Sequence, residues 1–554
     1  MRDIYLSEFR LTGRQALALW NREPSAALSA GSFDRRFWGW KSKDFADATM
    51  QYAARLAIGY AELVKKTGTL PAFVESFVSF VERCQHKDGS FDQCYPFERT
   101  PGVVFDILST LVDIWRSPYV TGPGRSRLEK VIARAVKFVI STDEFHGEIA
   151  NHFAEYAFEC LYHSHHFSDP RTRAKGQLYL ERLIGLQDRE EGWFLEYDGA
   201  DAGYQTRCLR YLTKCAALLD STEIWDAAER SADFLEHALM PDGSVNPMLG
   251  CRSTALLYPS GFEALARRDA RFEALARRVR FAWKNQRVPM PSTLDFENAI
   301  RLADDAKDAA ELCPEAASAA ELPFDSGGPR LCHYPRAGLV ILRDPGRQVF
   351  VQHSLGGSTV VYCHDAENGW TLRHEDSGYM LSNGTKRWVT RMPKIGSLKW
   401  VDESGLLVEV PFHRALHDEL TPQRMILLRL LNFTVLRWKW TAELFRRIVV
   451  RRLMTGKQAI SLILTREIAI DSEGVTVADR IQDERPVSQR NQGRLQHCRR
   501  IVSTHMASSR YFQDQELESL PLGWAEDVPW DTREACEKRI VAPSPPWRHQ
   551  SQSA

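Results

Sequence analysis

The sequence predicts a multidomain α+β protein, with a helical toroid in the N-terminal half and an antiparallel β-sandwich after it. Three observations predict this. Apolar residues recur every three or four positions from about residue 48 to residue 285, with almost no strand pattern. Gly-punctuated loops of similar sequence recur between those helices. From about residue 331 the apolar period falls to two, and short runs alternate with Gly and Asp turns. The boundaries that follow are a lead-in at 1–47, the toroid at 48–303, a linker at 304–330, the sandwich at 331–500 and a C-terminal extension at 501–554.

The lead-in is poorly periodic, and its clustered Phe37, Trp38 and Trp40 are expected to pack over the next domain. Met50, Tyr52, Ala53, Leu56, Ala57, Tyr60 and Leu63 then mark one helical face, and Phe73, Phe77 and Phe80 another. Further helices are expected at about 101–118, 125–141, 150–165, 171–186, 202–219, 223–238 and 261–284. Pro101, Thr121-Gly122-Pro123-Gly124, Asp169-Pro170 and Gly199 mark breaks between them. Asp88-Gly89-Ser90-Phe91, Glu191-Gly192-Trp193-Phe194 and Asp242-Gly243-Ser244-Val245 each follow a helix, as if one helical hairpin were the repeating unit. One hairpin cannot bury its apolar face alone. Several side by side can curve into a toroid with their loops on one rim, or stack as an irregular solenoid.

The linker is rich in alanine and acidic residues from Asp304 to Glu321 and ends in the turn cluster Phe324 to Pro329. Gly338 to Arg343 and Gln348 to His353 flank an Asp344-Pro345-Gly346 turn. Strand patterns continue at Thr359–Tyr362, Trp370–Arg373, Leu407–Val410, Ile468–Ile470 and Gly474–Val477. Phe433 to Trp440 reads as strand and runs into Arg446, Arg447, Arg451 and Arg452. That run is read as a basic helix interrupting the strands; its alternative use is a basic amphipathic surface in peripheral contact with a membrane or an acidic partner. The final fifty residues show little periodicity and are expected to wrap the surface or fray.

Composition narrows the function classes. A hydrophobic share of 44% with 26% charged residues is that of a folded globular chain. Lys plus Arg and Asp plus Glu are both 72, so no overall field draws in nucleic acid or an anionic polymer, and any electropositive site must be local. The eleven cysteines are scattered without a Cys-x-x-Cys pair, which argues for buried thiols in a reducing compartment. No signal-peptide-like run precedes Arg10 and no window is long and apolar enough to span a bilayer, so the expectation is a cytoplasmic protein, with association to the cell envelope left open. No feature indicates an oligomeric state.

Asn151-His152-Phe153-Ala154-Glu155-Tyr156 places a carboxamide, an imidazole and a phenol at the start of one helix. Adjacent residues lie about 100° apart on a helix, so Asn151 and His152 can border one cleft. Glu155 or Tyr156 can orient the imidazole from one turn on. A lone histidine at a helix start is commonly structural; the neighbouring amide and phenol are what raise a catalytic use to parity. The rim loops add aromatic and polar residues that suit sugar rings: Tyr95 and Arg99 in one, Trp193, Tyr197, Tyr204 and Gln205 in the second, Arg252 in the third. Elimination at a uronic acid would use such a set. It takes a proton from the carbon beside the carboxylate while the glycosidic oxygen leaves, which requires a neutralised carboxylate, a base and an acid.

Asn151-His152 at a helix start, followed some fifty residues later by Tyr197-Asp198-Gly199-Ala200-Asp201-Ala202-Gly203-Tyr204, resembles the heparinase II/III superfamily of polysaccharide lyases. The resemblance runs over about residues 50 to 480 and implies an incomplete (α/α) toroid followed by a β-sandwich. It implies that Asn151 neutralises the substrate carboxylate, that Tyr204 serves as base or acid, and that His152 assists. It also implies a further histidine from the sandwich, for which His353 stands before a Gly-rich turn, with His364 and His374 as other candidates. The substrate implied is an acidic polysaccharide, and no cofactor is required. Some relatives hold a structural zinc, for which His364, Asp365 and His374 would be the ligands; no tight ligand spacing marks them, and surface histidines are the simpler expectation. The Asp198-Gly199-Ala200-Asp201 stretch departs from the more tyrosine- and glutamate-rich loop of the superfamily. Two other uses of the same scaffold remain open: a glycoside hydrolase with paired carboxylates drawn from Asp88, Asp92, Glu98, Glu196, Asp198, Asp201 and Asp242, and a non-catalytic carbohydrate-binding or polysaccharide-assembly protein.

Overall fold

A helix that buries one stripe needs a partner for it, and the N-terminal half supplies partners in rotation. The structure is a computed structural model; it describes residues 1–143, 148–314, 330–365, 367–383, 386–392, 396–415, 421–438, 440–442, 444–445, 459–471, 474–484, 494–501, 517–520 and 534–543. Its helical half comprises α1 (Arg2–Leu19), α2 (Arg35–Trp38), α3 (Ala53–Leu63), α4 (Leu70–Cys84), α5 (Pro101–Arg116), α6 (Gly122–Ser141) and α7 (Ala150–Phe167). It continues with α8 (Pro170–Gly185), α9 (Ala202–Leu219), α10 (Thr222–Ala238), α11 (Ser260–Arg268), α12 (Glu273–Lys284) and α13 (Phe296–Leu312). Proline in the first turn opens α4, α5, α6 and α8, and Asp169, Asp201 and Asp295 cap α8, α9 and α13 through their carboxylates. Helices α3, α5, α7, α9, α11 and α13 touch in that order, and α13 returns to α3.

Two expectations about the flanks change. The lead-in is not aperiodic: α1 buries Tyr5, Phe9, Thr12, Gly13 and Ala16 against α3 and α13. The stripe has helical spacing but is half made of small residues, so hydropathy alone hides it. At the other end, α13 runs through the stretch expected to open the linker. Asp304 and Asp305 are buried there because Arg210 on α9 meets both, at 2.7 and 3.1 Å.

The repeated glycine turns do one structural job three times. Gly89, Gly192 and Gly243 all have positive φ, of 95°, 87° and 79°. A Cβ on each would overlap the backbone carbonyl of Arg134, Arg230 or Arg278 respectively, on α6, α10 and α12. Gln85 and Gln187 complete the first two copies, each donating to its glycine's carbonyl at 3.1 and 2.9 Å. Each turn therefore locks the end of one outer helix onto the next.

The second half is antiparallel throughout. β1 (Leu331–Tyr334), β2 (Leu339–Asp344), β3 (Arg347–Gln352), β4 (Ser358–Asp365) and β5 (Gly369–Asp376) form a five-stranded sheet in that order. β6 (Gly378–Asn383), β7 (Lys386–Val389), β8 (Ser397–Asp402) and β9 (Gly405–Ala415) precede helix α14 (Pro422–Phe433). β10 (Ala459–Ile470), β11 (Gly474–Asp483), β12 (Arg494–Ile501), β13 (Leu517–Leu520) and β14 (Glu534–Pro543) complete the larger sheet, ordered β13-β12-β6-β7-β9-β10-β11-β14 with β8 paired to β9. The tail expected to be aperiodic thus supplies two strands, β14 pairing β11 from Gly474 to Gln482. The stretch from Phe433 is not a strand; it ends α14 and continues as a short 3₁₀ turn over Val435–Arg437. Arg446, Arg447, Arg451 and Arg452 lie outside the described residues.

Strands β2 and β3 are buried on both faces. Val340, Leu342, Val349, Val351 and Val361 face the nine-stranded sheet. Leu339, Ile341, Phe350, Val360 and Tyr362 face the helical half, against Trp193, Phe234, Met240 and Met248. Three layers result, and the middle one explains the unbroken apolar run at Leu339–Leu342. Arg391 fastens the larger sheet to the helices, donating to the carbonyls of Pro247, Met248 and Gly250.

Candidate functional site

The loop before α9 folds back on the start of α7. Leu195 accepts the backbone N–H of Ala150, and Ile149 bridges Glu196. Glu196, wholly buried, then takes the backbone N–H and the Nδ2 of Asn151, each at 2.7 Å. A carboxyl there meets the donors a helix start leaves unpaired. Burial pushes Glu196 up to about 8, against the pull of the two Asn151 bonds. Asp201 caps α9 at the Tyr204 N–H, 3.1 Å, and holds the Arg252 N–H at 2.8 Å. Gly203 permits the approach, since a Cβ there would overlap Thr254 and stand 2.9 Å from the Leu256 carbonyl oxygen.

Asn151, His152, Tyr197, Tyr204 and Arg252 line one cleft of about 630 Å³. Its floor is ionic, and one residue comes from each of four helices. Arg301 on α13 forks onto Asp106 of α5 at 3.2 and 2.8 Å. Arg207 on α9 reaches Glu155 of α7 at 2.8 Å and the Asn151 Oδ1 at 3.3 Å. Tyr211 donates to the other Glu155 oxygen at 3.0 Å. The Asp106 and Glu155 carboxyls are close enough for each to feel the other's charge. Burial raises Glu155, with Arg207 opposing; burial acts the same way on Asp106, but Arg301 above all holds that carboxyl below its ordinary value. Tyr204 is kept a neutral phenol, burial raising it against Arg252. The Arg252 guanidinium lies 4.2 Å over the Tyr197 ring.

Sequence reasoning passed over Asp106, Arg207 and Arg301, and took Glu155 only as a neighbour of His152. Their signal was a charge inside an otherwise apolar helical stripe, as in Val103-Val104-Phe105-Asp106-Ile107-Leu108. A charge buried that way requires a partner.

Other residues singled out from sequence sit elsewhere. Tyr95 and Arg99 belong to the loop whose Gln93, Cys94 and Glu98 line the cleft, but neither is on the wall, and Arg99 donates to Asp88 at 3.3 Å. Trp193 is buried between the helical half and the five-stranded sheet. Gln205 is consumed by both backbone groups of Phe194, at 2.9 and 2.6 Å. His353 is not on the cleft wall; its ring stands 5.9 Å from that of His333, and burial lowers it to about 4. His364 is exposed beside Trp370, whereas His374 faces Asp376, which also binds His497 and Arg466 at 2.8 and 2.9 Å. Among the described residues no group of three or more His, Cys, Asp or Glu side chains is placed to hold a metal ion.

Comparison with solved structures bears on the fold. A xanthan lyase from Paenibacillus superposes with a TM-score of 0.51 at 11% identity, over 89% of this chain and 46% of that one. The chain has the fold of a polysaccharide lyase. A chondroitin AC lyase of Streptomyces coelicolor A3, in complex with chondroitin sulphate, gives 0.49 at 12% identity, over 89% and 68% of the two chains. Heparinase III gives 0.48 at 10%, over 82% and 64%. The chain thus spans about half of the xanthan lyase and about two thirds of the other two lyases. No known protein family's sequence pattern matches it, and no curated protein sequence does.

Proposed function

We propose that the cleft cleaves a uronic-acid-containing polysaccharide by β-elimination, within a helical toroid of the lyase kind. The observation that carries the proposal is the convergence of Asn151, His152 and Tyr204 on one cleft, with Arg252 beside them. The contact order α3 to α13 and back to α3 supports the toroid.

In the proposed reaction Asn151 and Arg252 neutralise the sugar carboxylate. Arg207 and Glu196 hold the Asn151 amide, one at its oxygen and the other at its nitrogen. His152 takes the proton from the carbon beside the carboxylate, and electrons move to form the double bond. Tyr204, a neutral phenol at rest, gives its proton to the departing glycosidic oxygen. Arginines 36, 207, 252 and 301 share the wall with Glu98, Asp106, Glu155, Asp295 and Glu297, so the polymer's charge is met group by group rather than by a field of one sign.

A paired-carboxylate hydrolysis fits less well. It needs carboxyls about 5–10 Å apart across the bond, and Asp106 and Glu155 are already engaged by Arg301 and Arg207, each at 2.8 Å. Asp92, Glu98 and Asp201 are occupied as acceptors of backbone N–H groups in their own loops.

The test is a panel of uronic-acid polymers followed at the ultraviolet absorbance of the unsaturated product. Growth of that absorbance supports elimination. New saturated ends without it would replace elimination by hydrolysis, and binding without either product would leave a carbohydrate-binding protein.

A further inference from the structure

No described helix is long and apolar enough to cross a membrane, yet α14 turns its apolar side outward. Ile426, Leu427 and Leu430 fall within about 100° of one another around the helix, and they are 61%, 56% and 60% exposed. The residue buried on the opposite face is Asn432, whose amide nitrogen and oxygen both lack a partner. That is the reverse of a helix packed for water. Trp438 and Trp440, which follow in the chain, are 59% and 69% exposed.

The sequence of this segment is also basic: between Thr421 and Lys457 it carries nine Lys and Arg and one acidic residue, Glu443, in a chain whose formal charge is zero. Arg424, Arg429 and Arg437 are the three of the nine among the described residues. Aliphatic side chains of this size gain nothing from a hydroxylated sugar, whereas aliphatics, tryptophans and arginines together match a bilayer's acyl boundary and its anionic headgroups.

We propose that α14 and the turn after it dock on an anionic lipid surface. The segment also rests on the cleft's rim. Arg429 pairs Asp44 at 3.1 Å, and Phe433 and Arg437 pack on Phe97, in the loop whose Cys94 and Glu98 line the cleft. Docking would hold the cleft mouth beside the lipid headgroups, where an envelope-attached polymer emerges. The lipid contact itself does not depend on the elimination chemistry.

The test is co-sedimentation of the full chain with vesicles of phosphatidylglycerol and phosphatidylcholine, and with phosphatidylcholine alone. The expected result is binding to the anionic vesicles only, weakening as salt is raised, and falling about tenfold or more in Ile426→Glu/Leu430→Glu. Both positions are exposed, so an unchanged circular dichroism melt shows that the variant is folded. Absence of binding to anionic vesicles at low salt would overturn the proposal, as would binding that the double substitution leaves unchanged. So would a dimer in sedimentation equilibrium that the substitution dissociates in the absence of vesicle binding, or a loss confined to retention by acidic polysaccharide in affinity electrophoresis.

Discussion

Glu196 holds Asn151 twice, accepting its backbone N–H and its side-chain Nδ2 at 2.7 Å each, and so fixes both the first turn of α7 and the face its amide presents. Replacing Glu196 by alanine leaves two buried donors unpaired. The expected cost is about 1–3 kcal/mol of stability, read by chemical denaturation, with turnover falling further than the folded fraction explains.

Tyr204→Phe removes one oxygen from a buried ring that packs at the start of α9. Turnover is expected to fall by about 10²–10⁴-fold with the melting temperature almost unchanged. A variant retaining full formation of the unsaturated product would remove Tyr204 as the proton donor.

Arg207 and Glu155 form a buried pair at 2.8 Å. Arg207→Met alone strands Glu155 beside Asp106 and is expected to cost about 3–5 kcal/mol. Combined with Glu155→Gln it should cost less than the sum of the single changes, because the stranded charge is gone. A double-mutant cycle in denaturant measures the difference.

Gly192 and Gly185 lie seven residues apart and should respond oppositely to alanine. Gly192 has φ of 87° and no room beside the Arg230 carbonyl, so Gly192→Ala should destabilise by about 1–3 kcal/mol. Gly185 ends α8 with nothing near its missing Cβ, and Gly185→Ala should be neutral or stabilising by up to about 1 kcal/mol. Thermal melts of the two variants decide it.

Stability should fall as pH rises from about 6.5 to about 8. Burial raises Glu159 and Glu196 to about 8 and Asp47 to about 7. A carboxyl raised by folding binds its proton more tightly when folded, so its contribution is whole below the unfolded value and is lost as pH climbs through the folded one. His163, His237 and His353 act the other way. Burial lowers each to about 4, so their contribution is present above 6.5 and lost as pH falls toward 4. Of these six groups only the carboxyls titrate above 6.5, and Glu159→Gln or Glu196→Gln should flatten the decline in thermal melts across that range.

Much of this molecule is written in local pattern. Helical and strand periods report which side of an element is buried, so the order of a helical half and an antiparallel half was legible. So were the three Asp/Glu-Gly turns, because a backbone at positive φ against a neighbouring carbonyl admits little but glycine. The α7 start and the Gly203-Tyr204 loop were legible for the same reason: their residues are close in sequence. Less legible were α1, whose buried stripe is partly Thr, Gly and Ala, and the C-terminal strand β14, whose pairing partner β11 lies about sixty residues earlier.

What the tertiary structure alone decided is which charge meets which. Arg301 and Asp106 are 195 residues apart and Arg207 and Glu155 are 52 apart, yet each pair closes within 3 Å. Nothing in the periodicity of either helix names its partner. Buried charges are tolerated only where packing brings an opposite charge into hydrogen-bond range, and that condition is met by the arrangement of helices as a whole. The same holds for Trp193, drawn between two layers rather than into the cleft, and for α14, whose outward apolar face becomes visible only once its other side is seen to rest on the protein.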